Sequence, residues 1–177
     1  SLMATVGWSQ QADASRAGQE AAEAALAKLS PFSPQIAFVF ASSWFDQEAL
    51  IRSIRGTLGD TLLVGESTAG EITPEGPLSH SCVIMLIASS VLHWSVGLGE
   101  GLDQAPRAAG QQAAYAAMKE FPGGPRTGFL LFGDGLVSSY ADVVRGAQEV
   151  LGTSSLIAGG MAGDDWRMSR TYQYCND

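Results

Sequence analysis

The chain has 177 residues, of which 46% are hydrophobic and 16% are charged, and its net charge is −8. This length and apolar content suffice to bury a core, which excludes a disordered chain. The few basic residues are scattered, so nucleic acid and acidic membrane surfaces are not expected as partners, since both bind clustered lysine and arginine.

Cysteine content and targeting patterns favour a cytoplasmic location. Cys82 and Cys175 are too few for a disulfide framework or a structural zinc site. The longest apolar run, which starts at Cys82, is far shorter than the roughly 20 residues that cross a bilayer. No signal-peptide pattern precedes it. The two residues before Met3 resemble a cloning remnant, so the predicted single domain covers 3–177.

The first half of the chain predicts alternating strands and helices. Continuous apolar runs such as IAFVFA are typical of strands buried on both faces. A long strand over 81–90 is expected to form a hairpin with 91–98. The other predicted elements are strands near 4–8, 36–41 and 61–65 and helices near 13–29 and 46–58.

The second half predicts the same alternation. Asp46 and Ser139 stand at matching places, each as a good helix N-cap. Strands and helices in alternation indicate an α/β fold, with mixed, mainly parallel sheets and helices packed on them. The predicted elements are strands near 93–98, 127–132 and 155–159, helices near 104–121 and 139–151, and a strand over 171–175 as the counterpart of 81–90.

Segments that match in order predict an internal duplication. Residues 17–29 and 109–121 are identical at seven of thirteen positions. We expect β-α-β-α-β-β pseudo-repeats at about 4–90 and 91–177. Because the chain ends just after the last predicted strand, we expect it to be the first part of a longer protein.

Two matched loops predict the functional site. Residues 62–71 read LLVGESTAGE and residues 156–164 read LIAGGMAGD. Such loops follow the carboxyl ends of strands, where α/β sheets bind ligands. Acids there favour an amino group, and backbone N–H groups favour a carboxylate, with Trp44 and Trp166 as apolar walls. The candidate ligand-binding residues are Ser67, Thr68, Ala69, Gly70, Glu71, Asp134, Gly160, Gly163, Asp164, Asp165 and Trp166.

Other chemistries remain open at these loops. The segment GESTA resembles a nucleophile elbow, with Ser67 as nucleophile and Ala69 in place of the usual glycine. The available bases are His80 and His93. The acids also suit general acid–base work, Mg²⁺ or Ca²⁺ ligation, or capping of backbone N–H groups. Neither a P-loop nor a dinucleotide fingerprint is present.

The segments LLVGESTAGEI, LIAGGMAGDD and TYQY, the last leading to Asn176, resemble the FIST N-terminal domain family from Thr5 onward. The resemblance implies a bacterial sensory domain in signal transduction that binds a small ligand, with amino acids among the candidates. It also implies a following FIST C-terminal domain and a signalling output domain. We expect a non-catalytic domain without a cofactor, and the Ala-rich helices leave an oligomer open.

One branch of the family is associated with haem and nitric oxide sensing, so haem is a further possibility. A haem would need an axial ligand. The residues that offer one are His80, His93, Cys82, Cys175, Tyr172 and Tyr174.

Overall fold

The structure is a computed structural model that describes residues 1–125, 128–137 and 139–177. It contains four helices among these residues, with strands between them. The elements are β1 (Leu2–Ser9), α1 (Ala14–Leu29), β2 (Ile36–Ser42), α2 (Gln47–Leu58), β3 (Leu62–Thr68), β4 (Glu71–Thr73), β5 (Gly76–Leu78), β6 (Cys82–Ser89), α3 (Pro106–Glu120), β7 (Phe129–Asp134), α4 (Tyr140–Leu151), β8 (Ile157–Ala162) and β9 (Gln173–Cys175).

A five-stranded mixed sheet forms the centre of the fold, in the order β1-β6-β2-β3-β9. β2 and β3 pair in parallel, whereas β6 lies antiparallel between β1 and β2, and β9 lies antiparallel on β3. Strands β1, β2 and β3 therefore run in one direction and the two others run against them. The predicted α/β fold with a mixed sheet and packed helices is confirmed.

The predicted hairpin between 81–90 and 91–98 is wrong. β6 pairs with β1 and β2 instead, and 91–98 forms no strand with the described residues. The sequence of β6 is apolar on both faces, and a central position buries both faces, whereas a hairpin at the edge would leave one of them exposed.

Helices α1 and α2 cover one face of this sheet. Alanines that are fully buried line α1, among them Ala17, Ala21 and Ala25. The backbone of α1 comes very close to β1, because a Cβ added at Gly7 would lie 2.1 Å from the carbonyl oxygen of Ala21. The small-residue face of the helix therefore packs directly on the sheet.

The helix starts were predicted correctly in position. Asp46 is the N-cap of α2, and its side chain accepts a hydrogen bond from the backbone N–H of Ala49 at 3.0 Å. Ser139 precedes α4 at the matching place but makes no side-chain cap bond. The cap chemistry is therefore confirmed for α2 alone.

The second half forms a separate two-stranded parallel sheet, β7–β8, covered by α3 and α4. Its β7 lies on the open face of the central sheet, where the ring of Phe132 contacts Phe38 at 6.4 Å and Phe40 at 5.8 Å between centroids. The predicted strand 127–132 corresponds to β7, although Thr127 lies outside the described residues. The 93–98 prediction is wrong, because no described strand pairs with this segment.

The two halves repeat several close backbone contacts at glycine. A Cβ at Gly65 or Gly159 would each lie 1.8 Å from a carbonyl oxygen of the neighbouring parallel strand. The matched contacts are Gly7 with Ala21 and Gly97 with Ala113, Gly18 with Leu50 and Gly110 with Val143, and Gly65 with Val39 and Gly159 with Leu131. The antiparallel pairing of β6 with β1 and β2, however, has no counterpart among the described residues of the second half, so the duplication stays a prediction.

Two further features differ from expectation. The short hairpin β4–β5 follows the first loop and was not predicted, because its strands have three residues each. Residues 171–175 contribute β9, which pairs with β3 and so is not placed as the counterpart of 81–90. No helix in the described residues is long and apolar enough to span a membrane.

Candidate functional site

The two matched loops lie against each other at the carboxyl end of β3. The backbone N–H of Gly163 donates to the carbonyl oxygen of Ser67 at 2.8 Å, and that of Asp165 donates to Thr68 at 3.3 Å. A Cβ at Gly163 would lie 2.8 Å from the backbone nitrogen of Ala69. The glycine of the second loop is therefore required by the contact with the first.

Ser67 is completely buried in this contact. Its hydroxyl donates to the carbonyl oxygen of Gly163 at 2.7 Å and accepts from the backbone N–H of Tyr172 at 2.8 Å. Neither His80 nor His93 hydrogen-bonds to it. The arrangement suits a structural hydroxyl, and it offers no exposed nucleophile.

Glu71 holds the hairpin β4–β5 to the sheet. Its carboxylate accepts from the hydroxyl of Thr68, and from the backbone N–H and hydroxyl of Ser81 at 3.1 Å and 2.5 Å. Only 2% of the residue is exposed, so these protein donors replace water around the charge. Gly70, which precedes it, has a φ of +144° that allows the chain to turn into β4.

The two acids of the second loop also have protein partners. Asp164 accepts from the backbone N–H groups of Ser169 at 2.6 Å and Arg170 at 3.2 Å, and these bonds hold the pKa of its carboxyl below the usual value. Asp165 accepts from the hydroxyls of Ser42 and Ser43, each at 2.8 Å. These side chains fix the loop geometry.

The loop that follows Asp164 projects an aromatic side chain outward. Trp166 is 84% exposed, and Asp165, Trp166 and Met168 all have left-handed backbone angles, with φ between 52° and 63°. Non-glycine residues adopt this region at a cost, and functional loops are where such strain concentrates.

Trp44 stands at the end of β2 beside this loop. The guanidinium of Arg167 lies 4.7 Å from its ring centroid and donates to the carbonyl oxygen of Ser43 at 2.9 Å. The ring of His80 meets Trp44 edge-on at 5.5 Å. The predicted apolar wall at Trp44 is thus partly covered by cationic and polar groups, while Trp166 remains open.

Glu66 is the site residue that sequence reasoning missed. It is 6% exposed, and its Oε2 has no hydrogen-bond partner among the described residues. Burial raises the pKa of this carboxyl to about 7, and a hydrogen bond from the backbone of Gly133 opposes the rise. Its sequence signal is an acid inside a buried apolar strand, which is costly unless a partner compensates it.

Glu66 faces the second sheet, since it is in register with Phe40 and shares that side of the central sheet. A Cβ at Gly160 would lie 3.4 Å from Glu66 Oε1. The hydroxyl of Tyr140 donates to the carbonyl oxygen of Gly160 at 3.4 Å. Burial and the charge of Glu66 raise the pKa of Tyr140 to about 12.

Asp134 is the last residue of β7, which contacts the central sheet. Its Oδ1 accepts from the hydroxyl of Thr171 at 2.7 Å and from the backbone N–H of Leu136 at 2.9 Å. We call this contact between the two sheets the seam. The seam cluster consists of Glu66, Asp134, Tyr140, Gly160 and Thr171.

The structure therefore separates the predicted site residues into two groups. Asp134 and Gly160 join Glu66 in the seam cluster. The others build the interlocked loops, and most of their polar groups bond to the protein; they are Ser67, Thr68, Ala69, Gly70, Glu71, Gly163, Asp164, Asp165 and Trp166. The described residues contain no cluster of three His, Cys, Asp or Glu side chains suited to a metal ion.

The candidate haem ligands lie at different places in the fold. Cys82 is fully buried in the sheet core, and the hydroxyl of Tyr174, also buried, donates to Gln47 at 2.5 Å. His80 lies against Trp44, whereas His93 lines a cavity of about 390 Å³ at the opposite, amino end of β2 and β3. The buried candidates have protein around them and the histidines lie far apart along the strands.

Comparison with known proteins assigns the chain to a family. The fold and the seam define a mixed α/β domain in which two sheets enclose a buried carboxyl. The sequence model of the FIST N domain matches residues 35–177, so the chain belongs to the FIST N domain family. No curated protein and no solved structure gives a significant match. Membership of this family is consistent with a sensory domain in signalling proteins.

Proposed function

We propose that this chain is a non-catalytic sensory domain of a bacterial, cytoplasmic signalling protein, and that it binds a small ligand through a primary ammonium group. Amino acids are the ligand class that the family resemblance favours. The observation that carries the proposal is the buried Oε2 of Glu66, which has no partner among the described residues.

The chemistry of the seam favours a cationic ligand. A buried carboxylate oxygen without a donor costs free energy, and an ammonium group would supply both the donor and the opposite charge. Asp134 stands in the same cluster and adds a second carboxylate, one oxygen of which already has two donors. An ammonium group at Glu66 would give Oε2 the donor that it lacks, and the carboxylate of Asp134 would add to the attraction of a cation.

In this proposal the interlocked loops shape the site and do not bind the ligand themselves. Since Glu71, Asp164 and Asp165 already accept hydrogen bonds from the protein, they shape the end of the site and leave recognition to the seam cluster. Ser67 joins the loops through its two bonds to the backbone. Among these acids, Glu66 is the one with a buried carboxylate oxygen that lacks a donor from the described residues, so it is the acid expected to bind the ligand directly.

A ligand at the seam would contact both sheets. Glu66 belongs to the central sheet, whereas Asp134 and Gly160 belong to β7 and β8. Binding would then favour one arrangement of the two sheets over another, to the extent that the ligand's affinity differs between them. In this proposal the change passes to a C-terminal FIST domain and an output domain.

The first test is a ligand screen with the wild-type protein. The twenty L-amino acids and their N-acetyl counterparts are compared by thermal shift at pH 8, where Glu66 is mostly charged. We expect at least one free amino acid to raise Tm by about 2–4 °C, the size that corresponds to roughly 1 kcal/mol. Its N-acetyl form should give no shift. Equal shifts from both forms, or no shift across the panel, would contradict the proposal.

A further inference from the structure

The two sheets touch at one end of their contact and separate toward the other. Phe132 and Gly160 face the central sheet, and each approaches it closely. Leu130 and Ala158 stand two residues earlier on β7 and β8, so they share that face, since side chains alternate along a strand. Both are nevertheless exposed, Leu130 to 51%. The inner face of the second sheet is therefore uncovered one step away from Glu66.

The opposite wall of this gap, on the central sheet, is also apolar. Leu62 and Val64 precede Glu66 on β3 at two-residue intervals, so all three side chains lie on the face that looks toward the second sheet. Leu62 and Val64 are half-buried, whereas Glu66 is buried. At about 3.3 Å per residue, Leu62 stands roughly 13 Å from Glu66 along the strand.

A cavity lies at the open end of the gap. Its volume is about 390 Å³, and Leu62 and Trp94 line it together with polar residues that precede β2 and β3. The ring of Trp94 meets Phe38 edge-on at 5.9 Å, and Phe38 also contacts Phe132 of the second sheet. The cavity therefore continues the gap that ends at the seam cluster. We call this gap the cleft, and its apolar walls are Leu62, Val64, Trp94, Leu130 and Ala158.

The shape of the cleft favours a small molecule as its occupant. A strand placed between two sheets would need about 10 Å on each side of it. The sheets touch at Phe132, whose ring centroid lies 5.8 Å from that of Phe40. Leu130 stands only about 7 Å earlier along β7, and a gap wide enough for a strand cannot open over so short a distance. This excludes a polypeptide strand of the same chain as well as one of a partner.

We infer that the cleft binds the apolar part of the ligand, so that the ligand is a primary amine with an apolar chain or side chain that extends from Glu66 toward Leu62. Ligand sites combine mostly apolar walls with a few polar groups that fix orientation. Here the carboxyl of Glu66, with its unpartnered Oε2, is the polar group at the closed end. The inference rests on the proposed recognition of an ammonium group by Glu66 and adds the chemical class of the rest of the ligand.

The test is a series of straight-chain amines, from n-propylamine to n-hexylamine, titrated into the 177-residue protein at pH 8 and followed by amide chemical shifts. Each methylene that enters the cleft should tighten binding about threefold, so hexylamine should bind at least tenfold more tightly than propylamine. Amines that bind with an affinity independent of chain length would overturn the inference and leave the proposed function in place. No binding by any of the amines would overturn both.

A pair of serine substitutions tests whether the chain lies in the cleft. Leu130→Ser replaces an apolar wall at a half-exposed position, so hexylamine should bind roughly threefold more weakly or worse, while propylamine should be unaffected. Ile72→Ser is the matched control, because Ile72 is 85% exposed in β4, beyond the carboxyl end of β3. This control should bind both amines as the wild type does. Equal affinities of the two variants for hexylamine, with both folded by circular dichroism, would overturn the inference.

Discussion

Single buried polar residues decide how the matched loops should be understood. Ser67 and Glu71 are buried, and each bonds to more than one protein group. A buried serine hydroxyl that bonds to a carbonyl oxygen and to an N–H contributes to stability. If it is removed, both backbone groups stay buried without a hydrogen-bond partner. The main role of the two loops is therefore structural, because their contact connects the two halves of the chain.

Replacing Ser67 tests that role. Ser67→Ala removes the donor to Gly163 and the acceptor for Tyr172, so we expect the free energy of unfolding to fall by about 1–3 kcal/mol. Ser79→Ala, at an exposed position, should change it by less than about 0.5 kcal/mol. Urea denaturation measures both. If both substitutions changed the free energy of unfolding equally, the structural role of Ser67 between the loops would be contradicted. Labelling of Ser67 by a fluorophosphonate would support the hydrolase alternative.

Glu66 makes stability depend on pH. Because its pKa is raised from 4.5 to about 7 in the folded state, the folded protein holds the proton more tightly than the unfolded chain. The resulting stabilisation is complete below pH 4.5 and is lost as pH rises to about 7. Tyr140, with its pKa at about 12, stays protonated throughout this range.

The variant Glu66→Gln should abolish this dependence, since glutamine resembles the neutral acid. We expect wild type and variant to unfold with similar free energies at pH 5, and the variant to be more stable by about 1–3 kcal/mol at pH 8. Glu20→Gln, on the exposed surface of α1, should follow the wild type. A difference between Glu66→Gln and wild type that does not change with pH would contradict the buried state of Glu66.

Some of these residue roles could be predicted from the sequence and others could not. Glycine and small residues before an acid identified both loops, and the structure places the loops in contact. What sequence could not tell is which acids have partners, because Ser42, Ser81 and Ser169 are distant in sequence from the acids they contact or lie across a turn. Glu66 was missed because the predicted strand ended at residue 65 and Glu66 was taken as a loop residue, whereas β3 continues to Thr68.

At the scale of elements, close backbone packing at glycine fixes how strands and helices meet. The β2–β3 and β7–β8 pairs both bring a glycine against a carbonyl oxygen of the neighbouring strand. Side chains larger than hydrogen have no room there. These contacts explain why glycines occur inside strands, where they otherwise weaken pairing.

The prediction at this scale compares two glycines. Gly65→Ala places a Cβ 1.8 Å from the carbonyl oxygen of Val39, so we expect a loss of about 3 kcal/mol or more, or failure to fold. Gly56→Ala, in the exposed part of α2 with open space around it, should stabilise by about 0.5–1 kcal/mol. Thermal unfolding separates the two. A mild effect of Gly65→Ala would mean that the strands are less tightly packed than described.

Element prediction succeeded where periodicity was strong and failed where pairing was decided by distant residues. Apolar runs located β2, β3, β6 and β8, and the N-cap positions Asp46 and Ser139 located the starts of α2 and α4. The hairpin of 81–90 with 91–98 was wrong because proximity in sequence suggested a neighbour, while burial on both faces favoured the central position between β1 and β2. The three-residue strands β4 and β5 carry too little pattern to be recognised.

The whole molecule is two helix-covered sheets that meet at a buried carboxyl. One part of the contact between the two sheets consists of aromatic rings, those of Phe38, Phe40 and Phe132. The seam cluster forms another part of it. A ligand-dependent rearrangement of the sheets would therefore start at Glu66. The same geometry gives the proposal its pH dependence, because an ammonium group binds the charged carboxylate more strongly than the neutral acid.

The measurement that tests this account most directly is isothermal titration of the amino acid selected by the screen, with wild type, Glu66→Gln and Glu20→Gln, at pH 6 and pH 8. We predict that wild type and Glu20→Gln bind more tightly at pH 8 than at pH 6. Glu66→Gln should lose at least about tenfold in affinity, or roughly 1.4 kcal/mol, at pH 8. Equal affinity of Glu66→Gln and wild type at both pH values would contradict the central claim that Glu66 recognises the ligand.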